Sequence, residues 1–439
     1  MVIVFVLVAL AVLAVVAGLH RYLWRRLVRD TTRGAGPARR VGTGVFVAGP
    51  TLMITALVAE RSGAPFWLQR TLAWPGFLWM ALWLYLMLAV VAGEAVRPLL
   101  RRLMEKRAPA RAPAAEAPEP ETASVAASAE GTALGETNAP SATPPQAAGP
   151  AAGTTPGSSA PEPSDFTRRL FVSRVVGGAA ATAAVATVGY GTYGVLRGPS
   201  VKHVTVPLAK LPRSAHGFRI AVVSDIHLGP VLGRGFAQKV VDTINATQPD
   251  LIAVVGDLVD GSVKDLGPAA AELARLSARH GAYFVTGNHE YFSGAEQWVE
   301  EVRRLGLHPL ENARTELPAF DLAGVNDLAG ESEGRGPDFA RALGDRDTSR
   351  AVVLLAHQPV QIHEAVKHHV DLQLSGHTHG GQLWPGNFVA AAANPTVAGL
   401  DRYGDTQLYV SRGAGAWGPP TRVGAPSDIT VIELASRQA

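Results

Sequence analysis

Four long uncharged stretches dominate the first 200 residues, and the pattern changes sharply after them. They cover residues 1–19, 42–59, 71–93 and 175–196. Each is close to the roughly 20 apolar residues that a helix needs to cross the hydrocarbon core of a bilayer. One such stretch alone could be a buried core helix, but three within a hundred residues, separated by basic loops, favour membrane spans. We therefore predict four membrane-spanning helices.

The arginines between these stretches predict an orientation. Residues 20–41 contain seven arginines and further basic residues follow the third stretch, whereas residues 60–70 carry only Arg61 and Arg70 beside Glu60. Short cytoplasmic loops retain Lys and Arg. The basic loops should therefore lie inside, with the N-terminus outside and residues 201–439 outside after the fourth span. This distribution explains the excess of basic residues without a nucleic-acid partner.

A segment with almost no large apolar side chain separates the third and fourth stretches. Residues 108–165 are mostly Ala, Pro, Ser, Thr, Gly and Glu, which bury too little surface to offset chain entropy. The run TRRLF at 167–171 is similar to a twin-arginine export signal, and basic residues that simply flank a helix explain it equally well. We predict a membrane region with three spans, a disordered linker, a fourth span and a soluble domain, at 1–107, 108–165, 166–200 and 201–439.

Short apolar runs alternate with helical patterns in the last half of the chain. This alternation predicts an α/β domain. The predicted helices are Phe236–Thr247, Leu266–Arg279 and Ala295–Leu305. The predicted strands are Phe218–Ser224, Leu251–Val255, Ala282–Val285, Ala351–Ala356, Leu372–Leu374, Gln407–Val410 and Ile429–Leu434.

Side chains with metal-binding chemistry follow five of these strands, and the strand ends should bring them to one edge. Carboxylate, imidazole and carboxamide groups suit manganese, iron or zinc. The chain has no cysteine, which excludes a thiolate nucleophile and a Cys-ligated metal. Apart from His289, the candidates are too many for one tetrahedral ion and suit two ions that share a carboxylate. The strand-end residues are Asp225, His227, Asp257, Asn288, His289, His357, His377 and His379.

Each motif also has a structural explanation when it is taken alone. Asp225 could cap a following helix, Gly256-Asp257 could form a turn, and Asn288 could cap a glycine turn. A lone histidine such as His357 is usually a core or surface residue. A strand gains nothing structural from two imidazoles in GHTH (376–379), so this motif is the most specific. The five motifs in this order are jointly far more specific than any one of them.

These motifs resemble the ordered signature of the calcineurin-like metallophosphoesterases. The strings GNHEYFSG (287–294), SGHTHGGQ (375–382) and YVSRGAGAWGPPTR (409–422) resemble its membrane-associated bacterial branch, the transmembrane, YkuE-like and YaeI-like proteins. The resemblance covers about 215–436. It implies two packed mixed β-sheets flanked by helices, with the metals at the strand ends. Glu290 stands where the wider superfamily usually has Asp, so we expect it to alter the orientation of His289.

The resemblance also implies a role for each residue. A hydroxide shared by two divalent ions would be the nucleophile, and His289 would protonate the leaving group or hold the phosphate. Asp257 would bridge the ions. The first ion would be held by Asp225, His227, Asp257 and His379, and the second by Asp257, Asn288, His357 and His377.

The sequence therefore predicts a multi-pass enzyme of a bacterial cell membrane with an extracytoplasmic catalytic domain. It would hydrolyse a phosphodiester or pyrophosphate, and a lipid or cell-envelope metabolite is one candidate substrate. The predicted partners are the phosphoester and the lipid bilayer, with no nucleic acid or protein. Two alternatives stay open: a phosphomonoesterase acting on a small soluble substrate, and a non-catalytic metal-binding regulator of a transport or sensing module. The uncharged spans argue against ion transport.

Overall fold

A computed structural model describes residues 2–106 and 165–438. A helix occupies each of the four uncharged stretches, and within the described part three segments, 37–61, 66–100 and 169–196, are long and apolar enough to cross a membrane. The predicted linker 108–165 lies outside the described residues except for Asp165, and the predicted division of the chain stays a prediction. The helices are α1 (Val2–Trp24, continued by a π-helical turn at Arg25–Arg29), α2 (Pro37–Arg61), α3 (Phe66–Lys106) and α4 (Asp165–Leu196).

The helices α2 and α3 form an antiparallel hairpin because small residues let them approach closely. A Cβ atom at Gly49 would overlap the ring of Trp79, and one at Gly76 would lie 2.6 Å from the backbone oxygen of Leu52. Such small-residue contacts are typical of helix packing in membranes. At one end of this bundle, Arg26 in the basic segment after α1 forms an ion pair with Glu94 on α3 at 3.1 Å.

The rest of the described chain forms an α/β domain, and all seven predicted strands are present among the twelve that the described residues form. Its helices are α5 (Arg234–Ala246), α6 (Val263–Ala270), α7 (Asn288–Ser293), α8 (Ala295–Arg304), α9 (Phe339–Leu343), α10 (Ile362–Lys367) and α11 (Gly386–Ala393). Its strands are β1 (Ser200–Leu208), β2 (Phe218–Val223), β3 (Leu251–Val255), β4 (Ala282–Val285), β5 (His308–Pro309), β6 (Ala313–Glu316), β7 (Asp321–Gly324), β8 (Val352–Leu355), β9 (Leu372–Ser375), β10 (Gly399–Tyr403), β11 (Thr406–Val410) and β12 (Asp428–Ser436).

The strands form two mixed six-stranded sheets, in the orders β1-β12-β2-β3-β4-β5 and β10-β11-β9-β8-β7-β6. A core of apolar side chains fills the space between the sheets, with Ile220 and Leu251 from one and Val353 and Leu372 from the other. The outer face of the first sheet packs on α5, α6 and α8, and that of the second on α9 and α10. This confirms the predicted pair of packed mixed sheets flanked by helices.

One predicted helix has different bounds. The segment 266–279 was expected to be a single helix, but α6 starts earlier because the Ser262 side chain caps it, accepting from the backbone of Asp265. The chain then tightens into a 3₁₀ segment, Ala271–Arg275, and leaves the helical conformation at Leu276. An apolar spacing by itself does not distinguish an α-helical turn from a final 3₁₀ turn.

Candidate metal centre

The predicted site residues meet at one edge of the two sheets. The strands β2, β3 and β4 are parallel neighbours in the first sheet, and β8 and β9 are parallel neighbours in the second. The carboxyl ends of parallel strands lie at the same edge, so the residues that follow these five strands converge there. The structure therefore brings together all eight residues that the sequence singled out.

The backbone at this edge is strained where the predicted ligands lie. Positive φ angles of 49–72° occur at five of them: Asp225, His227, Asp257, His377 and His379. Left-handed backbone is uncommon for residues other than glycine, costs on the order of 1–3 kcal/mol per residue, and is concentrated at functional sites. The strained positions therefore coincide with five of the predicted ligands.

Two motif glycines are required for close approach. A Cβ at Gly287 would lie 2.5 Å from the backbone nitrogen of Asp257 and would also overlap its carboxylate. A Cβ at Gly376 would overlap the carboxylate of Asp225 and lie 2.5 Å from Ser224 Oγ. The glycines therefore allow the loops to pack directly on the two aspartates.

The first cluster of potential ligand atoms comprises Asp225, His227, Asp257 and His379, all within 4.8 Å of one another. The Nε2 atoms of His227 and His379 are 3.0 Å apart. His379 Nε2 is 3.4 Å from Asp225 Oδ1, and His227 Nε2 is 3.8 Å from Asp257 Oδ2. The atoms are close enough to bind one cation.

The second cluster comprises Asp257, His357 and His377. His357 Nε2 lies 3.1 Å from Asp257 Oδ2, and Asn288 Oδ1 lies 3.0 Å from His377 Nδ1. Asp257 belongs to both clusters, so the two groups share one buried carboxylate.

The hydrogen bonds of His357 fit a metal ligand. Its Nδ1 lies 2.9 Å from the carbonyl oxygen of Val255, which can only accept, so Nδ1 carries the proton and a neutral ring has a free lone pair on Nε2. Within the described part of the chain, that buried Nε2 has no hydrogen-bond partner despite its closeness to Asp257. A cation between His357 Nε2 and the Asp257 carboxylate would give both groups a partner. A metal-binding histidine usually donates its other ring N–H to a carbonyl or carboxylate oxygen, as Nδ1 of His357 does here.

Asp260 is a site residue that the sequence reasoning missed. Its Oδ1 lies 2.9 Å from His227 Nδ1 and 2.7 Å from His289 Nδ1, so it orients both rings. Burial alone would raise the pKa of Asp260, but the two histidines lower it to about 2. Burial in turn opposes protonation of His289, and the hydrogen bond to Asp260 raises the pKa of that ring to about 9. The signal in the sequence was the spacing GDLVD at 256–260.

Glu290 is hydrogen-bonded to the backbone of the site, and its effect on the orientation of His289 stays a prediction. The Glu290 carboxylate accepts from the backbone N–H groups of Gly287, Asp257 and Leu258 at 2.6, 3.0 and 2.7 Å. It therefore ties the turn after β3 to the turn after β4. Burial raises the pKa of Glu290 to about 7, and the Asp257 carboxylate adds to the rise.

The electrostatics of the shared carboxylate favour cations around it. Burial by itself would raise the pKa of Asp257, but the neighbouring histidines, above all His357, lower it well below the ordinary value. Burial by itself would lower the pKa of His357, but the neighbouring Asp257 carboxylate raises the pKa of His357 well above the usual range. Burial lowers the pKa of His377 to about 4, with a further contribution from His357. Positive charge beside Asp257 is therefore stabilised at His357, whereas His377 stays neutral and keeps a lone pair for a cation.

The clusters open into a pocket of about 610 Å³ that contains side chains from the α2–α3 hairpin. Glu60 and Arg61, at the tip between α2 and α3, line it together with His289, Phe292 and Trp417. The sequence reasoning did not connect this tip with the site, because residues 60–70 lie far from the motifs along the chain.

The tail 409–422 reaches the site through two residues. Trp417 lines the pocket, with its ring centroid 5.6 Å from that of His289. The buried Arg422 donates from Nη1 to the carbonyl oxygen of His379 at 3.0 Å, and its Nη2 lies 3.1 Å from His379 Nδ1. Arg422 therefore fixes the position of His379 through the backbone carbonyl and the Nδ1 atom of that residue.

Comparison with known proteins agrees with this arrangement. The family model described as calcineurin-like phosphoesterase matches residues 218–381, which include all eight predicted site residues. A transmembrane protein with metallophosphoesterase domain from Danio rerio is 38% identical, over 56% of this chain and 59% of that protein. An uncharacterized metallophosphoesterase of Campylobacter jejuni is 39% identical, over 55% and 65%. One from Aquifex aeolicus is 35% identical, over 54% and 92%. The chain thus spans 59–65% of the length of the first two relatives.

Proposed function

The chain belongs to the calcineurin-like metallophosphoesterases, and from that premise we propose that it is a membrane-tethered phosphoester hydrolase dependent on two divalent metal ions. The observation that carries this proposal is the pair of ligand clusters that share Asp257 at the base of one pocket. A shared carboxylate is a common feature of dinuclear sites that hydrolyse phosphate esters.

The ligands divide around Asp257. Asp225, His227 and His379 would complete the first position, and Asn288, His357 and His377 the second. Bound divalent ions would supply Lewis acidity, which lowers the pKa of coordinated water and offsets charge on phosphoryl oxygens. The ligand chemistry suits manganese, iron or zinc.

His289 is the proposed catalytic residue outside the ligand set. Its ring lines the pocket and its Nδ1 is held by Asp260 at 2.7 Å, which leaves Nε2 free to face a substrate. The Asp260 carboxylate raises the pKa of His289 to about 9, which favours the protonated ring. A protonated imidazole in this position can protonate a leaving oxygen or hold a phosphoryl oxygen.

The height of the pocket above the membrane supports a lipid-linked phosphodiester or pyrophosphate as substrate. Glu94 pairs with Arg26 at the basic end of the bundle, and Phe66 begins α3 at the other end. At about 1.5 Å per residue, the 28 residues between them span about 42 Å. A bilayer with its headgroups is about 40–45 Å thick. The hairpin tip, and the pocket that it lines, would therefore lie at the headgroup layer, where lipid phosphates are found.

The same hairpin supports an extracytoplasmic catalytic domain. The tip at Glu60 and Arg61 is the loop that the arginine distribution predicts to be outside, and it lines the catalytic pocket. The basic loop 25–36 and the start of α4 meet at the opposite end, where Arg174 Nε donates to the carbonyl oxygen of Thr31 at 3.0 Å. Both observations fit one orientation.

The test uses the full chain in detergent, stripped with a chelator and reloaded with Mn²⁺, Fe²⁺ or Zn²⁺. We expect two metal ions per chain and metal-dependent cleavage of bis-p-nitrophenyl phosphate. The substitution Asp257→Asn should reduce cleavage to near background, because it removes the shared charge. Asp405→Asn, at an exposed turn, is the matched control and should keep wild-type activity.

Two outcomes would decide against a phosphodiester or pyrophosphate substrate. Cleavage of p-nitrophenyl phosphate alone would favour the phosphomonoesterase. Wild-type protein that binds metal but cleaves neither ester would favour a metal-binding regulatory domain.

A further inference from the structure

The segment 383–393 exposes apolar side chains on the surface of the α/β domain. It comprises the loop LWP and the helix α11, and it contains no charged residue. Val389 is 74% exposed, Phe388 64% and Trp384 50%. A surface helix of a water-soluble domain normally presents polar residues to solvent. A contiguous apolar surface of this kind marks a site of interaction.

This segment is continuous with the interface between the α/β domain and the candidate membrane helices. The Tyr85 hydroxyl, on α3, donates to the carbonyl oxygen of Trp384 at 3.0 Å. Leu383 and Val423 pack against the cluster formed by α1, α3 and α4, which includes Ala81 and Ala184. The exposed helix therefore lies beside the bundle and not on a remote face of the domain.

The position of Tyr85 along α3 gives the depth of this contact. Tyr85 is nine residues from Glu94, which marks the basic end of the bundle. Nine residues correspond to about 14 Å at 1.5 Å per residue, and the hydrocarbon core is about 30 Å thick. Tyr85 therefore lies within the depth of the hydrocarbon core, and the loop that its hydroxyl contacts lies beside this part of α3.

We propose that the segment 383–393 is inserted into the bilayer, with Trp384, Phe388 and Val389 in contact with lipid acyl chains. The contact would fix the α/β domain to the bilayer at a second point besides its covalent link to α4. The inference does not depend on the reaction that the domain catalyses, because it rests on apolar exposure and on the contact with α3. Its occupant is the bilayer itself, since the same helices that would cross the bilayer flank the segment.

The test exploits a chain without cysteine. Phe388→Cys and Val389→Cys, in separate full-length chains, would each carry a nitroxide spin label in vesicles of phosphatidylethanolamine and phosphatidylglycerol. Two further single cysteines serve as references: Val47→Cys on α2, an exposed apolar position of a candidate span, and Asp405→Cys at the far end of the β10–β11 hairpin. A spin label that collides often with oxygen is exposed to lipid, and one that collides often with a water-soluble nickel chelate is exposed to water.

We expect the labels at 388 and 389 to give an oxygen-to-nickel collision ratio close to that at 47 and severalfold above that at 405. Nickel accessibility at 388 and 389 equal to that at 405 would overturn the proposal, because the segment would then lie in water. Dipolar broadening at 388 or 389 that persists when the labelled chain is diluted in lipid would also overturn it. That result would identify a second copy of the chain as the occupant.

Discussion

Asp260 contacts two imidazoles that have different roles in the proposed site. His227 belongs to the first ligand cluster, whereas His289 lines the pocket outside it. The strand ends indicated both histidines directly, since each follows a strand in the sequence. Asp260 returns to the pocket only because the loop after β3 is fixed by a bridge between Leu228 and Val259. That loop geometry is tertiary, so residue type and spacing alone did not assign the role of Asp260.

Asp260→Asn tests the pairing with His289. The carboxylate stabilises the protonated ring and raises the pKa of His289 to about 9, so a neutral amide should let that pKa fall toward the ordinary value. At pH 8 the ring is protonated in the wild type and would be mostly neutral in the variant. If His289 protonates the leaving group, the alkaline limb of the activity profile moves to lower pH. At pH 8, kcat should fall roughly thirtyfold, because the protonated fraction of the ring drops by that factor when its pKa falls from about 9 to about 6.5.

The shift can be measured by NMR titration of the metal-free chain, and kcat with the reloaded enzyme. Asp242→Asn, an exposed acidic residue on α5, should change neither quantity. An unchanged His289 titration in the Asp260 variant would show that another group sets its pKa.

The α2–α3 hairpin shows what element-level patterns reveal and what they omit. Apolar length predicted a helix at both positions, and the strand patterns predicted β3 and β4 to the residue. The strands β1, β5, β6, β7 and β10 and the short helices α7, α9, α10 and α11 were not predicted. Two to four residues of strand, as in β5, β6 and β7, carry little periodicity, and α11 lacks the usual polar face. The contact between the hairpin tip and the catalytic pocket depends on packing between distant segments, which no local pattern encodes.

Arg61→Ala tests whether this tip is part of the substrate site. The exposed Arg61 side chain lines the pocket, and a guanidinium there can contact a phosphate oxygen through charge-assisted hydrogen bonds. Loss of such a contact, about 1.5–3 kcal/mol, should raise KM at least tenfold for a lipid phosphodiester and leave kcat nearly unchanged, provided that the contact is equally strong in the ground and transition states.

Steady-state kinetics in mixed micelles would give both constants. Arg61→Lys should recover part of the affinity, and Arg70→Ala, an exposed arginine on α3, is the matched control. Equal KM values for wild type and Arg61→Ala would remove the hairpin from substrate binding.

At the scale of the whole molecule, one arrangement connects the loop charges, the hairpin and the metal clusters. The arginine-rich loop 25–36 and the catalytic pocket lie at opposite ends of the helical bundle. A bilayer around the bundle would therefore separate the basic residues from the catalytic chemistry. The distribution of Lys and Arg predicts a cytoplasmic basic end, so the pocket and the headgroups that it faces would be outside.

Single cysteines test this orientation, because the native chain has none to interfere. Ala35→Cys lies in the basic loop, Ser62→Cys at the hairpin tip and Asp405→Cys in the α/β domain, and all three positions are exposed. In bacterial spheroplasts, a membrane-impermeant maleimide should label positions 62 and 405, and position 35 only after permeabilisation. The amount of label at each position after permeabilisation is the control that shows each cysteine can react with the maleimide. Labelling of 35 with protection of 62 and 405 would reverse the orientation and place the catalytic pocket at the cytoplasmic headgroups, since the ends of the bundle are fixed relative to each other by packing.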